Sequence, residues 1–85
     1  MYGVNFYRDA IKVLRRMPGN VARLILSRVE HLAQDPMAKN NNVKALEGRE
    51  GYRLRVGDYR VLYDLDHDRR ILTVTEVGHR KDIYR

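Results

Sequence analysis

Two stretches of this chain hold the residues that could do chemistry: 51–63, GYRLRVGDYRVLY, and 77–85, VGHRKDIYR. Guanidiniums stay protonated in proteins and bind phosphate through a planar fork, so several on one surface make a site for a polyanion. Tyr52, Leu54 and Val56 alternate with Arg53 and Arg55; after Gly57-Asp58, Tyr59, Val61 and Tyr63 alternate with Arg60, Leu62 and Asp64. Period-two alternation predicts strands with one face buried, and Gly-Asp between them predicts a tight hairpin turn. Arg53 and Arg55 then share a face, and pairing across the turn adds Arg60 to it. Arginines alternating along a strand are also what the solvated face of an antiparallel sheet looks like. The tail favours a site, because Arg80 and Tyr84 stand four residues apart near the end of another strand.

The elements that must position these residues follow from the rest of the chain. Tyr2, Val4 and Phe6 alternate in a short first strand over 2–7. From Arg8 the period becomes helical, with Ala10, Val13, Leu14 and Met17 on one side and Lys12, Arg15 and Arg16 on the other. Asp9 in the first turn suits the helix dipole. Pro18-Gly19 ends this helix and begins a second, which turns Val21, Leu24, Ile25, Val29 and Leu32 inward, Arg23 and Arg28 outward, and stops before Asp35-Pro36. Residues 37–42 read as a loop, and 43–50 as an irregular approach with Leu46 anchoring it and Lys44 free to reach out. After the hairpin, 66–69 is a turn with a solvated His67, and 71–77 is a β-branched strand. The order β-α-α-β-β-β predicts a single α+β domain over 1–85: a small antiparallel sheet with two helices packed on one face and the arginines on the other.

Composition bounds the function. Eighty-five residues, 44% hydrophobic and 33% charged, make one globular domain with a modest core. No apolar run is long enough to span a bilayer and no signal-peptide pattern opens the chain, so a cytoplasmic protein without membrane contact is expected. With no cysteine, disulfide and thiolate chemistry are excluded, and His31, His67 and His79 lack metal-ligand spacing. No cofactor is expected. Seventeen basic against 11 acidic side chains give a net charge of +6, a field that favours nucleic acid or an acidic protein. The excess is larger in residues 1–43, with 7 basic and 3 acidic, than in 44–85, with 10 and 8. The basic outer helix faces therefore read either as phosphate-contacting surfaces or as ordinary solvated ones.

Taken together, the order of elements, YRLRVGDYRVLY and VGHRKDIYR resemble the RelE branch of the RelE/ParE toxin superfamily, over essentially the whole chain. The resemblance implies the toxin of a type II toxin–antitoxin pair that enters the ribosomal A site and cuts mRNA. Its partners would be a cognate antitoxin, the ribosome and mRNA, with operator DNA reached only through the antitoxin. By position, Arg60 matches the family's catalytic arginine, Arg80 the arginine after the last strand, and Tyr84 the tail tyrosine. Arg53 and Arg55 fall where some members carry lysines, and Lys44 and Lys81 are further cations placed to bind RNA. The Arg80-to-Tyr84 spacing is shorter than in some members, and no C-terminal helix is expected to follow. The ParE branch shares the fold but poisons DNA gyrase without cutting RNA. An inactive relative serving only as antitoxin partner and corepressor is a third reading.

RNA can be cut without metal when its own 2′-hydroxyl attacks the adjacent phosphate, giving a 2′,3′-cyclic phosphate and a 5′-hydroxyl. Arg55 and Arg60 are the expected clamp for the charge that gathers on the nonbridging oxygens. Arg80 would stabilise or protonate the leaving 5′-oxygen, and Tyr84 would stack on a base or bond the 2′-hydroxyl. The general base is open, because arginine does not give up its proton. His79 is one choice, since the unperturbed histidine pKa lies near 6.5; positioning and electrostatics, with the ribosome supplying geometry, is the other. Glu76 is expected to pair with an arginine.

Overall fold

The computed structural model describes residues 1–83. Its elements are β1 (Gly3–Phe6), α1 (Arg8–Arg16), α2 (Gly19–Gln34), β2 (Val43–Ala45), β3 (Tyr52–Val56), β4 (Tyr59–Asp66), β5 (Ile71–His79) and α3 (Arg80–Ile83). The five strands form one sheet in the order β1-β5-β4-β3-β2. α1 and α2 cover one of its faces, burying Ala10, Ile25, Val29, Leu32 and Ala33 against Leu54, Val56, Val61, Tyr63, Leu72, Val74 and Val77. This is the expected α+β architecture with two helices on one side, and the period-two and helical patterns mark most of its core-facing residues. Leu24, expected inward on α2, is instead exposed, because it lies to the side of the helix face that buries Ile25, Val29, Leu32 and Ala33.

Three features differ from the expectation. The sheet is not wholly antiparallel: β1 runs parallel to β5, with Gly3 opposite Ile71 and Phe6 opposite Val74. The helical hairpin makes this possible by carrying the chain back across the sheet, and Tyr2 N–H bonds Ala33 C=O at 2.7 Å where α2 returns beside β1. The approach at 43–45 is a short edge strand, with Lys44 paired to Arg53. The tail does not simply run on from a strand: β5 ends at His79 and a single helical turn, α3, follows.

The β3–β4 hairpin closes through Gly57 and Asp58, with Val56 paired to Tyr59. Gly57 has a φ of 57°, and Asp58 has no positive φ. A positive φ at the first central residue alone is the pattern of a type II′ hairpin, whose twist matches the flanking strands. On the other side of β4 the register slips at Leu62/Tyr63: Leu62 faces Glu76 but Tyr63 faces Val74, leaving Thr75 as an extra residue. The Thr75 hydroxyl donates to Leu62 C=O at 3.2 Å. This bulge inverts the parity of the strand beyond it. Leu72 and Val74 face the helices, and so do Val77 and His79, while Glu76 and Gly78 face the other way.

Tyr63 lies at the centre of this core, 1% exposed, with its ring stacked on Tyr52 at a centroid distance of 5.5 Å. Its hydroxyl has no hydrogen-bond partner among the described residues. Burial, and secondarily the neighbouring Tyr52, push its pKa well above the tyrosine range. A buried hydroxyl without a partner costs stability, so Tyr63→Phe is expected to be neutral or stabilising by up to about 1 kcal/mol in urea unfolding. The folded chain holds Tyr63 protonated where the unfolded chain ionises it, so wild-type stability falls as pH rises above about 10. Tyr63→Phe is expected to make that alkaline decline shallower. A loss of 2 kcal/mol or more at neutral pH would show that the hydroxyl has a partner after all.

Candidate nucleic-acid interface

The sheet face opposite the helices is organised in two cross-strand rows. Lys44, Arg53, Leu62 and Glu76 stand opposite one another across β2, β3, β4 and β5. The next row holds Arg55, Arg60 and Gly78. Directly opposed residues have Cβ atoms about 5 Å apart, so two like charges placed so oppose folding rather than support it. Arg55 and Arg60 form such a pair.

Backbone and amide oxygens hold the two guanidiniums. Arg60 is half-buried and donates from one terminal nitrogen to Gly57 C=O and Tyr59 C=O, both at 2.9 Å. Arg55 is exposed and donates to Asn42 Oδ1 at 3.2 Å, while its backbone N–H bonds Asn42 C=O at 2.8 Å. Carbonyl and amide oxygens orient a guanidinium without neutralising it. Among the described residues the ion pairs are Arg69–Asp66 and Arg80–Asp58, so neither Arg55 nor Arg60 meets a carboxylate. Both keep their charge and most of their donors for an anion.

Arg80 reaches the same end of the sheet. Its backbone N–H bonds Asp58 C=O at 2.8 Å, which ties the start of α3 to the β3–β4 turn. Its side chain is exposed, with Nε 3.9 Å from Asp58 Oδ1, a loose contact that solvent screens. Gly78 makes room for this path. A Cβ built there would lie 3.2 Å from Ile83 Cγ1, so a larger residue opposite Arg60 would crowd the helical turn that follows Arg80.

The remaining sequence candidates are placed as follows. Arg53 is half-buried between Lys44 and Leu62, and Lys44 is exposed at the sheet edge. Lys81 is exposed on α3. Leu62, which alternation put on the wet face, is only 4% exposed there. Glu76 makes no ion pair with the described arginines. His79 is not brought together with Arg55 and Arg60. Its ring packs edge-on against Tyr59, centroids 5.6 Å apart, on the side that faces α1. There it lines a cleft of about 670 Å³ with Asp9, Ala10, Val13 and Arg16. Tyr84 lies outside the described residues. The sequence reading missed Asn42, Asp58 and Gly78; of these, only the Gly-Asp turn left a local signal.

The comparisons with known proteins bear on the family and the fold. The family model for the ParE toxin of the type II toxin-antitoxin system parDE matches residues 4–84. The RelE–RelB complex of Pyrococcus horikoshii OT3 holds a chain 28% identical, with a TM-score of 0.80 over 93% of this chain and 94% of that one. A chain of the Mycobacterium tuberculosis RelBE2 toxin–antitoxin complex is 26% identical, with a TM-score of 0.78 over 93% and 98%. A chain of the RelB–RelE complex of Methanococcus jannaschii is 27% identical, with a TM-score of 0.75 over 94% of each. With a family model that spans nearly the whole sequence and RelE folds that superpose on it, the chain belongs to the ParE toxin family of type II toxin–antitoxin systems, in the RelE branch of the RelE/ParE superfamily.

Proposed function

We propose that this toxin is a ribosome-dependent endoribonuclease that cuts mRNA in the A site, and that a cognate antitoxin silences it. The observation that carries the reading is the Arg55–Arg60 pair, opposed across the hairpin, oriented by neutral oxygens and without a carboxylate among the described residues. In the reaction the mRNA 2′-oxygen attacks the adjacent phosphorus, the bond to the 5′-oxygen breaks, and a 2′,3′-cyclic phosphate and a 5′-hydroxyl result. Arg55 and Arg60 bind the nonbridging oxygens as they gain charge. Arg80, held by its backbone at the same end of the sheet, stands to neutralise the leaving 5′-oxygen. Arg53, Lys44 and Lys81 bind flanking phosphates. Arginine keeps its own proton, so the 2′-proton passes to solvent or to a group of the ribosome, solvent returns a proton to the leaving 5′-oxygen, and the protein acts by position and charge.

An antitoxin partner is supported by the relatives, since the structures from P. horikoshii and M. jannaschii are RelE–RelB complexes. A second reading, inhibition of DNA gyrase, is favoured by the name of the matching family model. The arginine pair weighs against it, because a protein that only blocks another protein gains nothing from opposed cations that cost stability.

On programmed ribosomes, Arg60→Ala and Arg80→Ala are each expected to cut A-site mRNA about 10²–10³-fold more slowly than wild type, with thermal unfolding no lower than that of wild type. Cleavage at the wild-type rate by either variant would remove that arginine from the mechanism. The pair should also show its cost directly. Arg55→Glu replaces a like-charge pair with an opposite one and is expected to raise stability by about 0.5 kcal/mol at low salt, an effect that fades at high salt, while abolishing cleavage.

A further inference from the structure

Where β5 becomes α3, two backbone donors open at the start of the helical turn. The Arg80 N–H is taken by Asp58 C=O at 2.8 Å. The Lys81 N–H is taken by the His79 ring, whose Nδ1 accepts it at 3.2 Å. A side-chain acceptor on the residue before a helical turn, bonded to the N–H two residues on, is an N-cap. α3 is a single turn and has no length from which to hold itself, so its ends decide whether it forms. Imidazole accepts at Nδ1 only when that nitrogen is unprotonated, which leaves the proton of the neutral ring on Nε2. The edge contact with Tyr59, at an interplanar angle of 77°, holds the ring in this orientation on the helix side of the sheet.

We propose that His79 is a positioning residue and not an acid or base: it caps the turn that carries Arg80 and seats Ile83 against Gly78. The activity readout of this inference rests on the ribonuclease reading above, but the cap itself does not. Through the cap, a residue on the far side of the sheet governs the angle at which Arg80 leaves the strand.

Two substitutions separate the two nitrogens. Asparagine places Oδ1 where histidine has Nδ1 and has nothing at the position of Nε2; glutamine reaches the Nε2 position and leaves Nδ1 without an acceptor. Amide exchange at Lys81 and cleavage on programmed ribosomes are measured for wild type, H79N and H79Q. The cap predicts that H79N keeps Lys81 protection and cleaves within about two-fold of wild type, whereas H79Q loses protection and cleaves roughly five-fold more slowly. Large and equal losses of cleavage in both, with Lys81 still protected in H79N, would show that the ring transfers a proton and would overturn the proposal. So would an unprotected Lys81 amide in wild type, or wild-type cleavage by H79Q. If the protection pattern holds while the wild-type chain leaves mRNA intact, the nuclease reading fails and the cap stands.

Discussion

Two guanidiniums opposed across a two-residue hairpin form the constraint on which the rest of this structure depends. Arg55 and Arg60 repel, so the register that pairs them must be set by something else. The opposite face of the same two strands supplies it. Leu54, Val56, Val61 and Tyr63 are buried against the helices, and a one-residue slip of either strand would turn that strand's pair of them to water. The hydrophobic core therefore holds in place an arrangement that the arginines alone would oppose. Gly57 closes the hairpin with the twist the strands need, and its carbonyl then takes one hydrogen bond from Arg60.

The same logic runs outward to the neighbouring strands. Asn42, just before β2, bonds Arg55 through both its side chain and its backbone, so the edge of the sheet contributes to the site. On the other side the site is completed by an absence of bulk, since Gly78 opposite Arg60 leaves room for Ile83. Asp58 binds the Arg80 backbone and links the tail to the turn between the two arginine strands. Charge is thus presented from three segments of chain, while neutral oxygens do most of the orienting. A nearby carboxylate would fix a guanidinium more firmly but would also neutralise it.

Much of this was legible in the sequence because it is local or periodic. The helices, the hairpin and the shared face of Arg53, Arg55 and Arg60 follow from spacing alone. The parallel pairing of β1 with β5 was not legible, because Val4 and Phe6 bury one face in either strand direction. Lys44 in a strand was not legible either, since three residues carry too little pattern to separate from a loop. His79 is the most instructive case. Strict alternation from Leu72 and Val74 would send it to the arginine face, but the extra residue Thr75 inverts the strand and delivers it to the helix side. A bulge of this kind has no signature in a run of threonine, glutamate and valine.

The central claim is that the opposed arginines exist to cut RNA. Expression of the wild-type chain in cells without an antitoxin, with every mRNA 5′ end mapped and genomic DNA assayed for breaks, tests it most directly. The account predicts growth arrest with new 5′-hydroxyl ends inside translated codons and intact DNA. Arrest with intact mRNA and gyrase-dependent DNA breaks would contradict it.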